Sequence, residues 1–597
     1  MHEFGLPALY QVPPEANLGD LIERNAERFP DLPVMSRKVD NSWHDLTAAQ
    51  FRAEVRATAK GLIANGVQVG DRVAVMSRTR YEWTLLDFAI WCAGAVVVPV
   101  YETSSTDQLR WIVSDSGAIV IITETDQHAA LVAGLRDQLP KLMHTWQIDA
   151  DAIATLMADG APISDSVLAD RRAAVSADGL ATIVYTSGTT GRPKGCQLTH
   201  GNFLAEVGNI TARMPALFRT GESSMLLFLP LAHVLGRGAE VAAVFTPIDL
   251  ANVADVKDVT AELEAFQPTM ILGVPRVFEK VYNSARAKAQ LAGRGRIFDL
   301  AASTAIAYSR ARESGRISLP LRIRHALFDR LVYGRLRAAL GGRATHAISG
   351  GAALGERLGH FFRGVGFTVL EGYGLTETCA AATFNPDDGT KIGTVGQPLP
   401  GSTIRIDDDG EILLRGPNVF TGYWNNPEAT ADAFRDGWFA TGDLGTLDED
   451  GYLTIIGRKK EIIVTAGGKN VAPAMIEDRI RAHPIIGEVI VVGDGKPFIG
   501  CLVTVDDEQF PTWKQLNGKP DHASVADLAA DPDLLAAIQA AIDDGNQAVS
   551  KAEAVRKFRL LNADFTEANG YVTPSLKLKR NIVLRDFASE VGAMYSA

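Results

Sequence analysis

The chain has 597 residues, 46% hydrophobic and 22% charged, so it can bury more than one core and is not a disordered polymer. Its net charge of −12 argues against nucleic acid as a partner. The four cysteines, Cys92, Cys196, Cys379 and Cys501, form no CxxC pair, which argues against a disulfide framework or a cysteine zinc site and fits a reducing cytoplasm.

In chain order, the N-terminus shows no basic stretch followed by an apolar one, so no secretory leader is expected. FRAEVRATAKGLIANG, residues 51–66, places Phe51, Val55, Ala59, Leu62 and Ile63 on one helical face and stops at Gly66. RVAVMS (72–77), AVVVPV (95–100) and AIVIITE (118–124) read as buried strands. The longest apolar stretch, 85–101, is interrupted by Asp87 and Pro99, so it reads as a helix feeding a strand and not as a membrane span. Alternating helices and strands predict α/β layers with parallel sheets. From about residue 401, STIRIDDDGEILLRGPNVF and GYLTIIG read as short strands joined by Asp-Gly turns. Beyond GRKKEIIVTAGGKN comes an α+β pattern: a helix at 473–482, strands at 488–493 and 498–505, and a polar helical stretch at 507–550. The expected division is a large N-terminal part, 1–457, with a β-rich subdomain at about 395–457, and a small C-terminal domain, 458–597.

Residues 182–203, TIVYTSGTTGRPKGCQLTHGNF, carry a turn built from Thr186, Ser187, Gly188, Thr189, Thr190 and Gly191, followed by Lys194. Glycines let backbone N–H groups approach an anion, hydroxyls add donors and the lysine adds charge, which together suit a phosphate. A Walker loop is excluded, because Lys194 follows Pro193 and not glycine. YTSGTTGRPKG instead closely resembles the signature of the adenylate-forming superfamily, which holds acyl-CoA synthetases, adenylation domains and luciferases. Further strings resemble that family's other motifs, in the same order. They are FLPLAHVLGR (228–237), SGGAALGE (349–356), EGYGLTET (371–378), WFATGDLG (438–445), GRKKEIIVTAGGKN and TPSLKLKR (573–580).

The resemblance implies two half-reactions: a carboxylate attacks the α-phosphate of ATP and expels pyrophosphate, and a thiol then takes the acyl group and expels AMP. It implies an adenine pocket from Gly350, Gly351, Ala352, Glu371, Gly372, Tyr373 and Gly374, with Tyr373 stacked on the base. Thr376 binds the α-phosphate, Glu377 and Thr186 hold Mg²⁺, and Asp443 and Arg458 hold the ribose. Lys577 becomes the adenylation lysine. Leu576 stands where many relatives have glycine, and strand alternation puts Lys579 on the same face, so Lys579 stays open as an alternative. Lys460 falls at the family's hinge, and Gly467, Gly468 and Lys469 border the passage for the CoA arm. His233 gates the acyl pocket or is simply structural, and Cys379, followed by three alanines, borders the same pocket.

The chain as a whole resembles bacterial long-chain fatty acyl-CoA synthetases, on strings such as GYWNNPEATADAF (422–434) and LGGRATHAISGGAAL (340–354). The implied substrates are a fatty acid, ATP and CoA, with Mg²⁺. Alternatives are an acyl-AMP ligase loading a carrier protein, an aryl or short-chain acid ligase, and a non-catalytic nucleotide sensor. Residues 276–343 hold 15 Lys/Arg against 4 Asp/Glu, a local charge of +11. There, LPLRIRHALFDRLVYGRLRAALGG reads as an amphipathic helix with Leu327, Leu331 and Leu336 in its apolar stripe. It is either a peripheral contact to the anionic inner membrane face or a core-packed helix with solvated arginines. No pattern addresses chain length or oligomeric state.

Overall fold

The computed structural model describes residues 2–186, 192–255, 257–563, 565–566, 569–573 and 578–596. Val96–Val100, Arg72–Met76 and Val120–Thr123 are apolar along nearly their whole length, so the sheet they build needs cover on both faces. They run parallel within a seven-stranded sheet whose order is Gly422–Tyr423, Lys194–Thr199, Leu180–Thr186, Val96–Val100, Arg72–Met76, Val120–Thr123 and His144–Gln147. The helix Tyr81–Cys92, buried all round, covers this sheet. The helix Ala48–Ala64 opens with a capping box made by Thr47 and Gln50 and buries Phe51, Val55, Ala59, Leu62 and Ile63, the face expected from their spacing.

A nine-stranded sheet carries Ser224–Leu227, Met270–Gly273, His346–Ser349 and Thr368–Tyr373 in parallel and ends in the short antiparallel strands Thr383–Phe384 and Gln397–Pro398. An antiparallel sheet follows, made of Thr403–Ile406, Glu411–Arg415, Phe434–Arg435, Trp438–Leu447 and Leu453–Arg458, with Glu3–Gly5 on its edge. These three sheets share one hydrophobic core running from Leu18 to Leu453. A separate core begins at Ile463 and joins the helices Pro473–Arg481 and Pro532–Asn546 to a three-stranded sheet of Ile486–Val492, Ile499–Val505 and Val555–Leu560. The molecule is therefore α/β, with a large N-terminal part and a small α+β C-terminal part.

Two of the basic residues counted in 276–343 pair with acids of the C-terminal part while staying partly open to solvent. Arg276 pairs with Asp506, and Lys280 Nζ lies 2.8 Å from Glu508. The stretch around 319–339 also differs from a single amphipathic helix. It runs as a helix Leu319–Phe328, a π-helical turn Asp329–Tyr333 and a helix Gly334–Ala339. The wider turn rotates the faces that follow it, so Leu336 is buried while Leu327 and Leu331 stay exposed.

Candidate active site

Strands Leu180–Thr186 and Lys194–Thr199 form the arms of the phosphate-loop hairpin, with Thr186 opposite Lys194. Ser187, Gly188, Thr189, Thr190 and Gly191 lie outside the described residues. The Lys194 ammonium sits 4.9 Å from the ring centre of Tyr423, a cation–π distance. Tyr423 belongs to the strand Gly422–Tyr423, which adds to the edge of the hairpin and pairs Tyr423 with Cys196. Its phenol donates to Glu377 Oε1 at 2.7 Å. Burial and the Glu377 charge push the Tyr423 phenol above its ordinary pKa, so it acts as a neutral donor. Tyr423 thus joins Lys194 to Glu377. Sequence reasoning passed over it, because a Gly-Tyr pair 46 residues from the carboxylate carries no local sign of that contact.

The other end of the 371–378 segment meets the antiparallel sheet. Asp443 and Arg458 face each other across strands Trp438–Leu447 and Leu453–Arg458. Arg458 Nε reaches Asp443 Oδ1 at 3.2 Å, and the Tyr373 phenol donates to Asp443 Oδ2 at 2.6 Å. Burial and the Asp443 charge raise the Tyr373 phenol. Burial works against the Arg458 charge, but Asp443, Tyr373, Glu461 and Glu377 together outweigh it and leave the guanidinium above its usual value. Tyr373, Asp443 and Arg458 therefore form one connected row.

Glu371 is buried and accepts the Leu354 N–H at 2.8 Å, and burial pushes its carboxyl up to about 7. Gly350 leaves space into which a Cβ would meet Leu235 at 3.5 Å and the Gly372 carbonyl at 3.7 Å. Gly351 has a φ of 86°, and Ala352 beside it is exposed. Gly374 admits no side chain, since a Cβ would stand 1.7 Å from the Ala380 carbonyl oxygen. Thr376 and Glu377 follow in a short 3₁₀ turn, Thr376–Thr378. Glu377 and Thr186 offer hard oxygen donors, the chemistry Mg²⁺ takes alongside phosphate oxygens. Among the described residues no cluster of three or more His, Cys, Asp or Glu could hold a metal by itself.

His233 caps the helix Val234–Phe245, its Nδ1 accepting the Leu235 N–H at 3.1 Å. Cys379 is buried, and its thiol is raised first by burial. Lys460 lies in the turn Lys459–Glu461, where the neighbouring Lys459 pairs with Asp409 at 2.5 Å and Glu411 at 2.8 Å. Gly467 and Gly468 lie between the short strands Ile463–Val464 and Asn470–Val471, and Lys469 pairs with Glu553 at 3.3 Å. Lys577 lies outside the described residues. Lys579 caps the helix Arg580–Asp586 and gives its N–H to Tyr571 O at 2.7 Å. Among the described residues, Leu578 bridges to Val572. Arg580 beside it is bonded to both carboxylate oxygens of Glu477 and to Val491 O.

A family model described as AMP-binding enzyme matches residues 22–424, and one described as AMP-binding enzyme C-terminal domain matches 460–597. The chain is 52% identical, over the whole of both sequences, to the long-chain-fatty-acid–CoA ligase FadD15 of Mycobacterium tuberculosis. It is 27% identical to the long-chain-fatty-acid–CoA ligase ACSBG2 of Xenopus laevis, covering 98% of this chain and 84% of that one. Among solved structures, the anthranilate CoA ligase AuaEII with anthranoyl-AMP superposes with a TM-score of 0.72 at 19% identity, over 98% of this chain and 99% of that one. ATP-bound MatB from Rhodopseudomonas palustris superposes with a TM-score of 0.66 at 25% identity, over 96% and 99%. With both family models and a full-length relative matched by the chain that carries this site, the chain belongs to the AMP-binding, adenylate-forming enzyme family.

Proposed function

We propose that the chain activates a long-chain fatty acid with ATP to an acyl-adenylate and passes the acyl group to CoA, releasing pyrophosphate and then AMP. The observation that carries this reading is the double engagement of residues 371–378. Tyr373 joins Asp443 and Arg458 at one end, and Glu377 joins Tyr423 and Lys194 at the other. In this reading one short segment serves the nucleoside at one end and the phosphates at the other. Full-length similarity to a long-chain-fatty-acid–CoA ligase supports the choice of acid and acceptor.

A fatty carboxylate is already ionised at neutral pH, with a pKa near ~4 to 5. Adenylation therefore needs no general base; it needs alignment and charge neutralisation. In this reading Asp443 and Arg458 hold the ribose and Tyr373 lies on adenine, in a pocket bordered by Gly350, Gly351, Ala352, Glu371, Gly372 and Gly374. Thr376 takes the α-phosphate, and residues 186–191 with Lys194 take the leaving pyrophosphate. Glu377, oriented by Tyr423, and Thr186 would hold Mg²⁺, which when bound neutralises phosphate charge. Lys577 steers the incoming carboxylate onto the α-phosphate. His233 and Cys379 border the acyl pocket. The domains divide at 457/458, Lys460 is the hinge, and Gly467, Gly468 and Lys469 line the CoA path.

The partner reading includes the anionic inner face of the cytoplasmic membrane. Among the described residues no helix is long and apolar enough to cross a membrane. Leu319, Ile323, Leu327 and Leu331, however, are 68, 62, 56 and 53% exposed. Arg322, Arg324 and Arg330 flank them, exposed and without an ion pair among the described residues. Four large aliphatic side chains in an arginine frame, on a chain of net charge −12, match an anionic bilayer surface. A fatty acid partitions into that same surface.

The deciding experiment is ATP–pyrophosphate exchange over acids from acetate to stearate and over aryl acids, repeated with CoA. Exchange that rises with chain length, with free thioester formed, is expected. Exchange without thioester would move the acceptor to a carrier protein. Preference for an aryl or short acid would overturn the substrate, and no exchange with any acid would overturn adenylation.

A further inference from the structure

Three observations meet in the turn directly after Thr376 and Glu377. Its backbone is held in disfavoured regions, with φ of 63° at Cys379 and 133° at Ala380, although neither is glycine. Its outer side is tied by Asn418, whose Nδ2 donates to Thr378 O at 3.2 Å and Ala381 O at 2.9 Å, and whose Oδ1 accepts from Ser402 at 2.7 Å. Its inner side is met by Glu206, from the helix His200–Arg213, which accepts the Ala381 N–H and lies against the Cys379 thiol.

Glu206 is 1% exposed and forms no ion pair among the described residues. Its Oε2 points over Gly238, where a Cβ would stand 3.4 Å away. Arg237, next to that glycine, is spent on Asp87 at 2.8 Å. Burial raises the Glu206 carboxyl well above its ordinary range, so the side chain is a neutral acid inside an apolar wall. The mechanism proposed above gives it no task. A carboxyl without a countercharge in such a place is expensive, and backbone strain beside a reacting group marks function more often than accident.

We propose that Glu206 is a positioning residue for adenylation: by clamping the Ala381 N–H it holds the strained 378–381 turn, and the turn in turn fixes Thr376 and Glu377 against the phosphates. The inference rests on the adenylation reading. The link from turn to site is short, because the Cys379 N–H bonds the Thr376 carbonyl at 3.1 Å and the Leu375 N–H bonds Thr378 Oγ1 at 2.9 Å. A shift at Ala381 is therefore passed to the neighbouring pair and not absorbed by slack.

The test compares two variants that keep a polar group in the wall. Glu206→Gln retains the length and an acceptor for Ala381 N–H. Glu206→Asp retains the acid but withdraws the acceptor by one methylene. Acid-dependent ATP–pyrophosphate exchange should keep kcat within about threefold in the Gln variant. In the Asp variant kcat should fall by about tenfold or more, with the KM for ATP held within about threefold, as misplacement of reacting groups predicts. Adding Ala380→Gly to the Asp variant should recover about threefold or more, since glycine accepts a positive φ without strain. Equal losses in both variants, wild-type kcat in the Asp variant, or no recovery with Ala380→Gly would each overturn the inference. A wild-type enzyme that shows no exchange would sink the adenylation reading instead, so the two failures are distinguishable.

Discussion

Glu371 and Glu377 share one eight-residue motif but live in different surroundings, and only the fold separates them. Glu377 reaches a phenol donor, whereas Glu371 is buried behind the Leu354 N–H with its carboxyl at about 7. A folded pKa raised above the unfolded 4.5 means that the native state holds the proton more tightly. That contribution is complete below about pH 4.5 and is lost as the pH rises through about 7. Glu371→Gln should therefore flatten the decline. Its stability advantage over wild type in urea unfolding should grow by roughly 1–3 kcal/mol between pH 5 and pH 8. A difference that is the same at both pH values would show that Glu371 is not held neutral. At this scale the motif residues were legible as a string, since Tyr373, Asp443 and Arg458 come together as one row. Tyr423 and Glu206 were not, because their contacts are with residues 46 and 175 positions away.

At the scale of elements, hydrophobic periodicity worked where a helix packs on one face. Phe51, Val55, Ala59, Leu62 and Ile63 are all buried, as their spacing requires. It failed at 319–339, because periodicity assumes an unbroken α-helix and the π-turn Asp329–Tyr333 resets the phase. The result is an exposed row, Leu319, Ile323, Leu327 and Leu331, in place of a stripe shared with Leu336. If this row docks on lipid, the chain should co-sediment with vesicles containing anionic lipid and release as salt rises. Ile323→Ser with Leu327→Ser should weaken binding about tenfold or more, and Arg322→Glu with Arg330→Glu should abolish the salt-sensitive part. Equal binding to neutral and anionic vesicles, or none to either, would refute it. Because these side chains are solvent-exposed, the serine variants should keep the wild-type unfolding temperature within a few degrees.

For the whole molecule, the question is how two bodies share one site. Arg276 and Lys280 on the helix Pro275–Leu291 pair with Asp506 and Glu508 of the C-terminal part, two solvent-accessible ion pairs between the parts. Residues of the small part serve different half-reactions in the proposed mechanism, which makes reciprocal losses the expected pattern. Lys577→Ala should lower ATP–pyrophosphate exchange by about 10²-fold or more while sparing thioester formation from supplied acyl-adenylate. Lys460→Pro, which restricts the backbone at the hinge, should do the reverse, lowering thioester formation about tenfold and leaving exchange within about threefold. Parallel loss of both half-reactions in either variant would contradict this division of roles within the small part.

Sequence alone determined the layered α/β class, the change to short antiparallel strands after residue 401, and the order of the nucleotide motifs. These are local: they follow from periodicity, turn residues and glycine-rich strings that read the same in any context. Only the tertiary structure decided what each motif touches. It joined Lys194 to Glu377 through Tyr423, set an acid without countercharge beneath the strained turn at Cys379 and Ala380, and turned a predicted stripe into an exposed row. Those outcomes depend on packing between distant segments, where burial fixes protonation and strain, and no stretch of the chain carries them by itself.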